Sequence, residues 1–199
     1  MSLTKRTLEL LFEIGAFRHV ERTWKQFYDA NVTNNAEHSF RVAWIALTLA
    51  KEEGVTNHEK VLKMALLHDL SESRCGDTNY LSRQYVAQNE EMSIKDIFKG
   101  TPHEQEVYEL WKEYKERKSK EAQIVKDADT LDVDIEIQEQ FYKGAKLSLV
   151  FKKYRKEVVY PRLYTKTAKR LWKEIANANP HDWHLRAENN RIFGGDWKK

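Results

Sequence analysis

The sequence predicts an all-α protein of a single domain, on three observations. Helix breakers are few, 7 Gly and 3 Pro among 199 residues, while 33% of residues are charged, a composition that favours helix. Apolar residues recur at three- and four-residue spacing in one segment after another, with no alternating strand pattern and no internal repeat. Several of these segments open on Asn or Thr and close at Gly or Asn-Pro, as helix ends do. A hydrophobic content of 41% supplies a core, and the length suits one domain over residues 1–199.

The elements follow in order. Residues 3–17 put Leu8, Leu11, Phe12 and Ile14 on one helical face, with Gly15 at its weak end. Residues 18–35 are mixed and run into NVTNNAEHS, whose Asn and Thr residues favour turns and caps. The strongest helix spans 38–53. Phe40, Val42, Ala43, Trp44, Ile45, Ala46, Leu47, Leu49 and Ala50 make it apolar nearly all round, which predicts a central place, and Gly54 caps its end. Thr56-Asn57-His58-Glu59 reads as a capping box for the next helix. Residues 73–82 read as a loop and 83–98 as a helix with a sparse apolar face. Thr101-Pro102-His103-Glu104 starts another helix, with Pro at its first position, running to about Lys118. Residues 121–142 make a long helix on the stripe Ile124, Ala128, Leu131 and Ile135, widened by Val125, Val133 and Ile137. Residues 143–160 are basic and fit no clear pattern. Residues 163–178 are an amphipathic helix ended by Asn179-Pro180, and the tail beyond shows no periodicity.

Charge and cysteine content narrow the function. A net charge of +3, from 34 basic and 31 acidic residues, is too balanced to argue for nucleic acid. The lone Cys75 excludes an internal disulfide and fits a reducing compartment. No apolar run approaches the ~20 residues of a membrane span. The first segment, MSLTKRTLELLFEIGAF, carries acids and lacks a small-residue cleavage site, so it reads as a helix rather than a signal peptide. The expected setting is cytoplasmic.

The stretch Val61 to Asp77, VLKMALLHDLSESRCGD, carries the chemistry. An apolar run ends in His68 and Asp69, side by side. Imidazole and carboxylate lose solvation at the end of a buried segment unless they pair or bind something, and both are ligands for divalent transition metals. Glu72 follows one helical turn later on the same side, and Gly76-Asp77 after it. Partners for a shared ion must come from elsewhere. His38 stands at the start of the central helix. Asp127, Asp129, Asp132 and Asp134 interrupt the long helix, and periodicity does not choose among them, since that helix is apolar on several sides. A second His-Asp pair, His181-Asp182, follows a proline in a polar tail and is expected at the surface.

The segments AEHSFRVA (36–43), ALLHDLSESRCGD (65–77) and VKDADTLD (125–132) together resemble the HD-domain metal-dependent phosphohydrolases, and more closely their 5′-deoxynucleotidase branch. The resemblance covers about residues 5–145, leaving 146–199 as a C-terminal helical extension and tail. It implies a helical bundle with a metal site between its central helices. It implies His38, His68, Asp69 and Asp129 as ligands, with Asp129 selected by the match to VKDADTLD. Two nitrogens and two oxygens suit Mn, Co, Ni, Fe or Zn. Glu72 would orient or deprotonate the attacking water, or protonate the leaving oxygen. Asp77 would help hold the sugar or leaving group. Arg22 would clamp phosphate and Trp24, fourteen residues before His38, would pack on the sugar. In bacterial members Arg directly precedes Trp; here Thr23 separates them, as in eukaryotic relatives. Dimers are common in the family, and the aromatic-rich C-terminal third could cover such an interface.

Three functions compete at this level. The first is a 5′-nucleotidase acting on deoxynucleoside monophosphates. The second is a deoxynucleoside triphosphate triphosphohydrolase on the same metal centre, which needs more positive charge; Arg18, Arg22, Arg74 and Lys126 are candidates. The third is a non-catalytic helical module that binds nucleotide or a protein partner. The expected partner is a small nucleotide, not a nucleic acid or a membrane.

Overall fold

The computed structural model describes residues 5–28 and 31–186. Helices α1 (Lys5–Ala16), α2 (Lys25–Tyr28), α3 (Asn35–Glu52), α4 (His58–Leu67), α5 (Glu72–Cys75), α6 (Glu90–Phe98) and α7 (Glu104–Glu116) precede the long α8 (Lys120–Tyr142). After it come α9 (Leu147–Val158), α10 (Lys166–Asn177) and the short α11 (Asp182–Leu185). Among the described residues there is no strand, only one isolated bridge between Glu21 and Asn34. The all-α class is as the sequence predicts.

Helices α3 and α8 lie side by side at the centre, with α4 against both. Val42, Ala46, Leu49 and Ala50 of α3 meet Val61, Met64 and Ala65 of α4 and Ile124, Val125, Ala128 and Leu131 of α8, all fully buried. A second cluster, Leu10, Phe17, Leu67, Leu70, Ile94, Ile97, Phe98 and Trp111, closes the bundle around α1, α6 and α7. Met64 and Ala65, just before His68, belong to the first cluster, and Leu67 and Leu70, either side of it, to the second.

Several boundaries differ from the sequence reading, each for a local reason. Helix α3 starts at Asn35, before the expected His38. Asn34 Oδ1 accepts from the Glu37 amide and Glu37 Oε2 accepts from the Asn34 amide, each at 3.0 Å, a reciprocal capping box. His38 therefore sits about one turn inside the helix. Asn57, not Thr56, caps α4. Helix α6 begins only at Glu90. Ser82–Gln84 make a short 3-10 turn, Gln88 Nε2 donates to the Cys75 carbonyl at 2.9 Å and also to that of Gly76, and Asn89 caps the helix. Pro102 lies in a turn rather than at a first helical position. The Thr101 hydroxyl donates back to the Phe98 carbonyl and serves the end of α6, so α7 starts at Glu104. The basic stretch after residue 143, which fits no clear pattern, is α9, and α10 opens at Lys166 with Thr165 as its cap.

Two apolar faces lie outside the core. On α1 the face Leu8, Leu11, Phe12 and Ile14 is exposed, and Leu10 is the residue that packs. On α3, Phe40 and Trp44 are 66% and 62% exposed, so the helix is central on one side only. Periodicity locates an apolar face but does not say what covers it. No helix among the described residues is long and apolar enough to cross a membrane.

Candidate metal centre

Each of the three central helices delivers one part of the site. His38 comes from α3, Asp129 from α8, and His68-Asp69 from the end of α4. After Leu67 the chain turns through short i→i+3 bonds, Leu70 N–H to Leu67 O at 3.1 Å and Glu72 N–H to Asp69 O at 2.9 Å, which bring Glu72 back beside Asp69. The expected neighbourhood of His68, Asp69 and Glu72 is thus realised by tight turns rather than by one continuous helix.

One ligand atom from each of His38, His68, Asp69 and Asp129 lies within 4.8 Å of all the others. His38 Nε2 is 3.2 Å from His68 Nε2, 3.5 Å from Asp69 Oδ2 and 3.3 Å from Asp129 Oδ1. His68 Nε2 is 3.2 Å from Asp69 Oδ2 and 4.0 Å from Asp129 Oδ1. Atoms that each bind one ion at about 2.1 Å lie no more than about 4 Å apart, close to this pattern. The chemistry of the donors points the same way. His68 Nδ1 faces the Ala65 carbonyl at 2.7 Å, which only accepts, so Nδ1 carries the hydrogen and Nε2 presents a lone pair to the cluster. Two carboxylates and two imidazoles converging in a buried space need a positive charge among them. In the chain alone, burial and the Arg22 charge push the His38 pKa down, but bonds to Asp129, Asp132 and Asp69 hold it well above the ordinary value. Burial raises Asp69 and Asp129, yet His68 and His38 around the first, and Lys126 with His38 beside the second, keep both well below the usual carboxylate range. A divalent cation meets the same demand, and these residues fit one.

The four aspartates of α8, inseparable by periodicity, have four different partners. Asp129 turns to the cluster, its second oxygen accepting from Lys126 Nζ at 2.6 Å. Asp132 accepts from the far side of the His38 ring, Nδ1 to Oδ2 at 2.6 Å, and from Arg41 Nε. Asp127 accepts from the backbone of Tyr164 and Thr165 and the Thr165 hydroxyl, each at 2.8 Å, tying α8 to the start of α10. Asp134 takes a two-pronged bond from Arg155 of α9, at 2.6 and 2.8 Å.

Glu72 lies next to the cluster and is nearly buried. Its Oε2 accepts from Asn35 Nδ2 at 2.6 Å. Burial, then the Asp69 and Asp77 charges, push its pKa up to about 9 in the chain without a cation. Arg22 is largely buried and donates from Nη1 to Asp69 Oδ2 at 3.2 Å. Asp77 is tied through one carboxylate oxygen to the segment that carries Arg22 and Trp24. Its Oδ2 accepts from the Thr23 backbone at 2.7 Å and the Thr23 hydroxyl at 3.1 Å. Gly76, at φ +75°, makes the turn that brings it there, a conformation that costs a side-chain-bearing residue strain. The residue inserted between Arg22 and Trp24 is therefore the one that anchors their segment. Trp24 packs edge-on against Tyr28 and Phe151, with ring centroids 5.1 and 6.4 Å away, and its Nε1 is buried with no partner among the described residues. Phe151 belongs to α9, and Ser148 of the same helix bonds the Tyr28 hydroxyl, so the C-terminal extension backs this segment.

Of the four cationic candidates, Arg22 and Lys126 touch the cluster. Arg74 pairs with Glu13 of α1 instead, at 2.7 and 2.9 Å. Arg18 lines an open cavity of about 450 Å³ beside Arg22, with Lys25, Asn34 and Glu37. His181 is exposed, as expected of the second His-Asp pair. Sequence reading passed over Asn35, Thr23 and Arg41. Asn35 and Arg41 lie three residues either side of His38, the spacing that shares a helix face, and that was the available signal.

The chain is similar in sequence and in fold to known proteins. The 5′-deoxynucleotidase HDDC2 of Bos taurus is 29% identical over 141 residues, covering 68% of each chain. That of Dictyostelium discoideum is 31% identical over 144 residues, 66% of this chain and 76% of the relative. The crystal structure of a Pyrococcus horikoshii protein superposes with a TM-score of 0.70 at 27% identity, over 85% of this chain and 98% of the other. The HD-domain family model matches residues 14–176, past the expected limit near 145 and through most of α10. With that match running through all three helices that build the cluster, the chain belongs to the HD-domain family.

Proposed function

We propose that this protein is a metal-dependent 5′-nucleotidase that releases inorganic phosphate from deoxynucleoside 5′-monophosphates. The convergence of His38, His68, Asp69 and Asp129, with Glu72 at its edge, carries the reading. The curated relatives named 5′-deoxynucleotidase support the substrate class. The four side chains would hold a divalent Mn, Co, Ni, Fe or Zn ion. Such an ion supplies Lewis acidity to a phosphoryl oxygen and to the attacking water at neutral pH.

The remaining work falls to the chain. Arg22, held beside Asp69, offers its outer N–H groups to the phosphate. Glu72 takes a proton from the water or gives one to the 5′ oxygen as the P–O bond breaks. Asp77 acts on substrate through Thr23, by fixing the turn that carries Arg22 and Trp24. Trp24 lies against the sugar. The lone Cys75 supports a reducing, cytoplasmic setting, and the exposed Phe40 and Trp44 support a homodimer.

A phosphate-release assay on dAMP, dCMP and dATP with Co or Mn tests the proposal. Inorganic phosphate from the monophosphates is the expected result. Tripolyphosphate from dATP alone would replace it with the triphosphohydrolase. No release from any nucleotide by metal-loaded protein would leave a binding module.

A further inference from the structure

The first turn of α3 brings a second polar group to the site. Asn35 is completely buried, three residues before His38 on the same helical face. Its Nδ2 donates to Glu72 Oε2 at 2.6 Å, across 37 residues of sequence. Its backbone N–H donates to the Val20 carbonyl at 3.0 Å, two residues before Arg22. Its Oδ1 is buried with no hydrogen-bond partner among the described residues. An apolar side chain of the same shape would avoid that unpaired oxygen. What the amide contributes in return is the bond to Glu72.

That bond matters because of where Glu72 sits. It begins a four-residue helix, and Asn35 is the one hydrogen-bond donor to its carboxylate among the described residues. A glutamate side chain has several rotatable bonds to fix. Proton transfer needs its oxygen within about 2.6–3.2 Å of the reacting atom, and a misplacement of about 1 Å can cost ~100-fold in rate. Asn35 rides on the rigid helix that also carries His38, so it refers the Glu72 carboxylate to the same frame as the metal cluster.

We propose that Asn35 is a positioning residue: its amide pins Oε2 of Glu72 and so aims Oε1 at the reacting water or leaving oxygen. The proposal rests on the phosphohydrolase reading above. Asn35→Leu keeps the shape and removes the donor. With Mn-loaded protein and a deoxynucleoside monophosphate, kcat should fall ~10–100-fold while KM and metal content stay within about twofold. In a Glu72→Gln background the same change should cost under about twofold, because no carboxylate remains to be aimed. Without any turnover, the Asn35 side-chain amide protons should exchange slowly by NMR in the unmodified protein and fast in Glu72→Ala. Wild-type kcat in Asn35→Leu, an equal loss in both backgrounds, or fast amide exchange in the unmodified protein overturns the proposal. Absence of phosphate release by the unmodified protein overturns instead the phosphohydrolase reading, and amide exchange then decides the Asn35–Glu72 bond alone.

Discussion

His38 Nδ1 lies 2.6 Å from Asp132 Oδ2, on the side of the ring turned away from the cluster. The other oxygen of Asp132 accepts from Arg41 Nε, and Arg41 Nη1 continues to Glu139 Oε1 at 2.8 Å. Burial raises the Asp132 carboxyl, but His38 and Arg41 outweigh it and hold the group below the usual range. An ionised carboxylate behind the ring keeps the hydrogen on Nδ1 and leaves Nε2 for a cation.

Asp132 and Asp129 should therefore fail differently when removed. Asp132→Asn should weaken metal binding about 10–100-fold, with turnover recovering at high metal concentration. Asp129→Ala should abolish turnover at any metal concentration, with the helical circular dichroism unchanged. Metal titrations followed by phosphate release separate the two. If Asp132→Ala abolishes turnover and Asp129→Ala spares it, the ligand assignment is reversed.

Metal binding should release a proton. Against burial and the Arg22 charge, three carboxylates hold the His38 pKa well above 6.5 in the metal-free chain. A pKa raised on folding stabilises the metal-free fold fully below the unfolded value, and that contribution is lost as pH rises through the folded one. Asp69 and Asp129 are shifted the other way, so theirs is lost only as pH falls into the acid range. A cation needs the His38 nitrogen free of its proton. Calorimetry in buffers of different ionisation enthalpy should show about one proton released per site near neutral pH, and affinity falling about tenfold per pH unit below. Binding without proton release would mean that His38 is already neutral.

Asp77→Ala should act mainly on KM. Removing the carboxylate frees both Thr23 bonds and loosens the Arg22–Trp24 segment. We expect KM for the monophosphate to rise ~10-fold, with kcat changed less. Thr23→Val, which removes only the hydroxyl bond, should have a smaller effect in the same direction. A fall in kcat at unchanged KM would show instead that Asp77 acts on the chemical step.

Asp127→Ala should cost stability and not chemistry. It unpairs two backbone N–H groups and the cap hydroxyl at the start of α10. Loss of such a cap costs about 1–2 kcal/mol, and more where buried donors stay unpaired. Urea denaturation of the metal-loaded protein should record that loss, with kcat per folded molecule unchanged. A large fall in kcat would place Asp127 in the reaction.

Some of this was open to reading from single segments. The caps and apolar periods gave the helices, because each is a local pattern of three to five residues. The same locality explains the misses. Pro102 and Thr101 look like a helix start, but Thr101 bonds backwards to Phe98. The 83–89 stretch has helical residues, but Gln88 reaches thirteen residues back to Cys75. The stripe on α1 was found, yet its exposure depends on what packs there.

By itself the sequence determined the helical class, the places where charged and metal-binding side chains interrupt apolar runs, and the kinship carried by the segments around His38, His68-Asp69 and Asp129. Only the tertiary structure decided what the other aspartates of α8 bind, with Asp132 behind the His38 ring, that Asp77 holds Thr23, and that Asn35 reaches Glu72. The division has one physical reason. Helix and cap signals are written in neighbouring residues, whereas a side chain's partner across 37 or 94 positions is fixed only when packing of α3, α4 and α8 sets their rotation and depth.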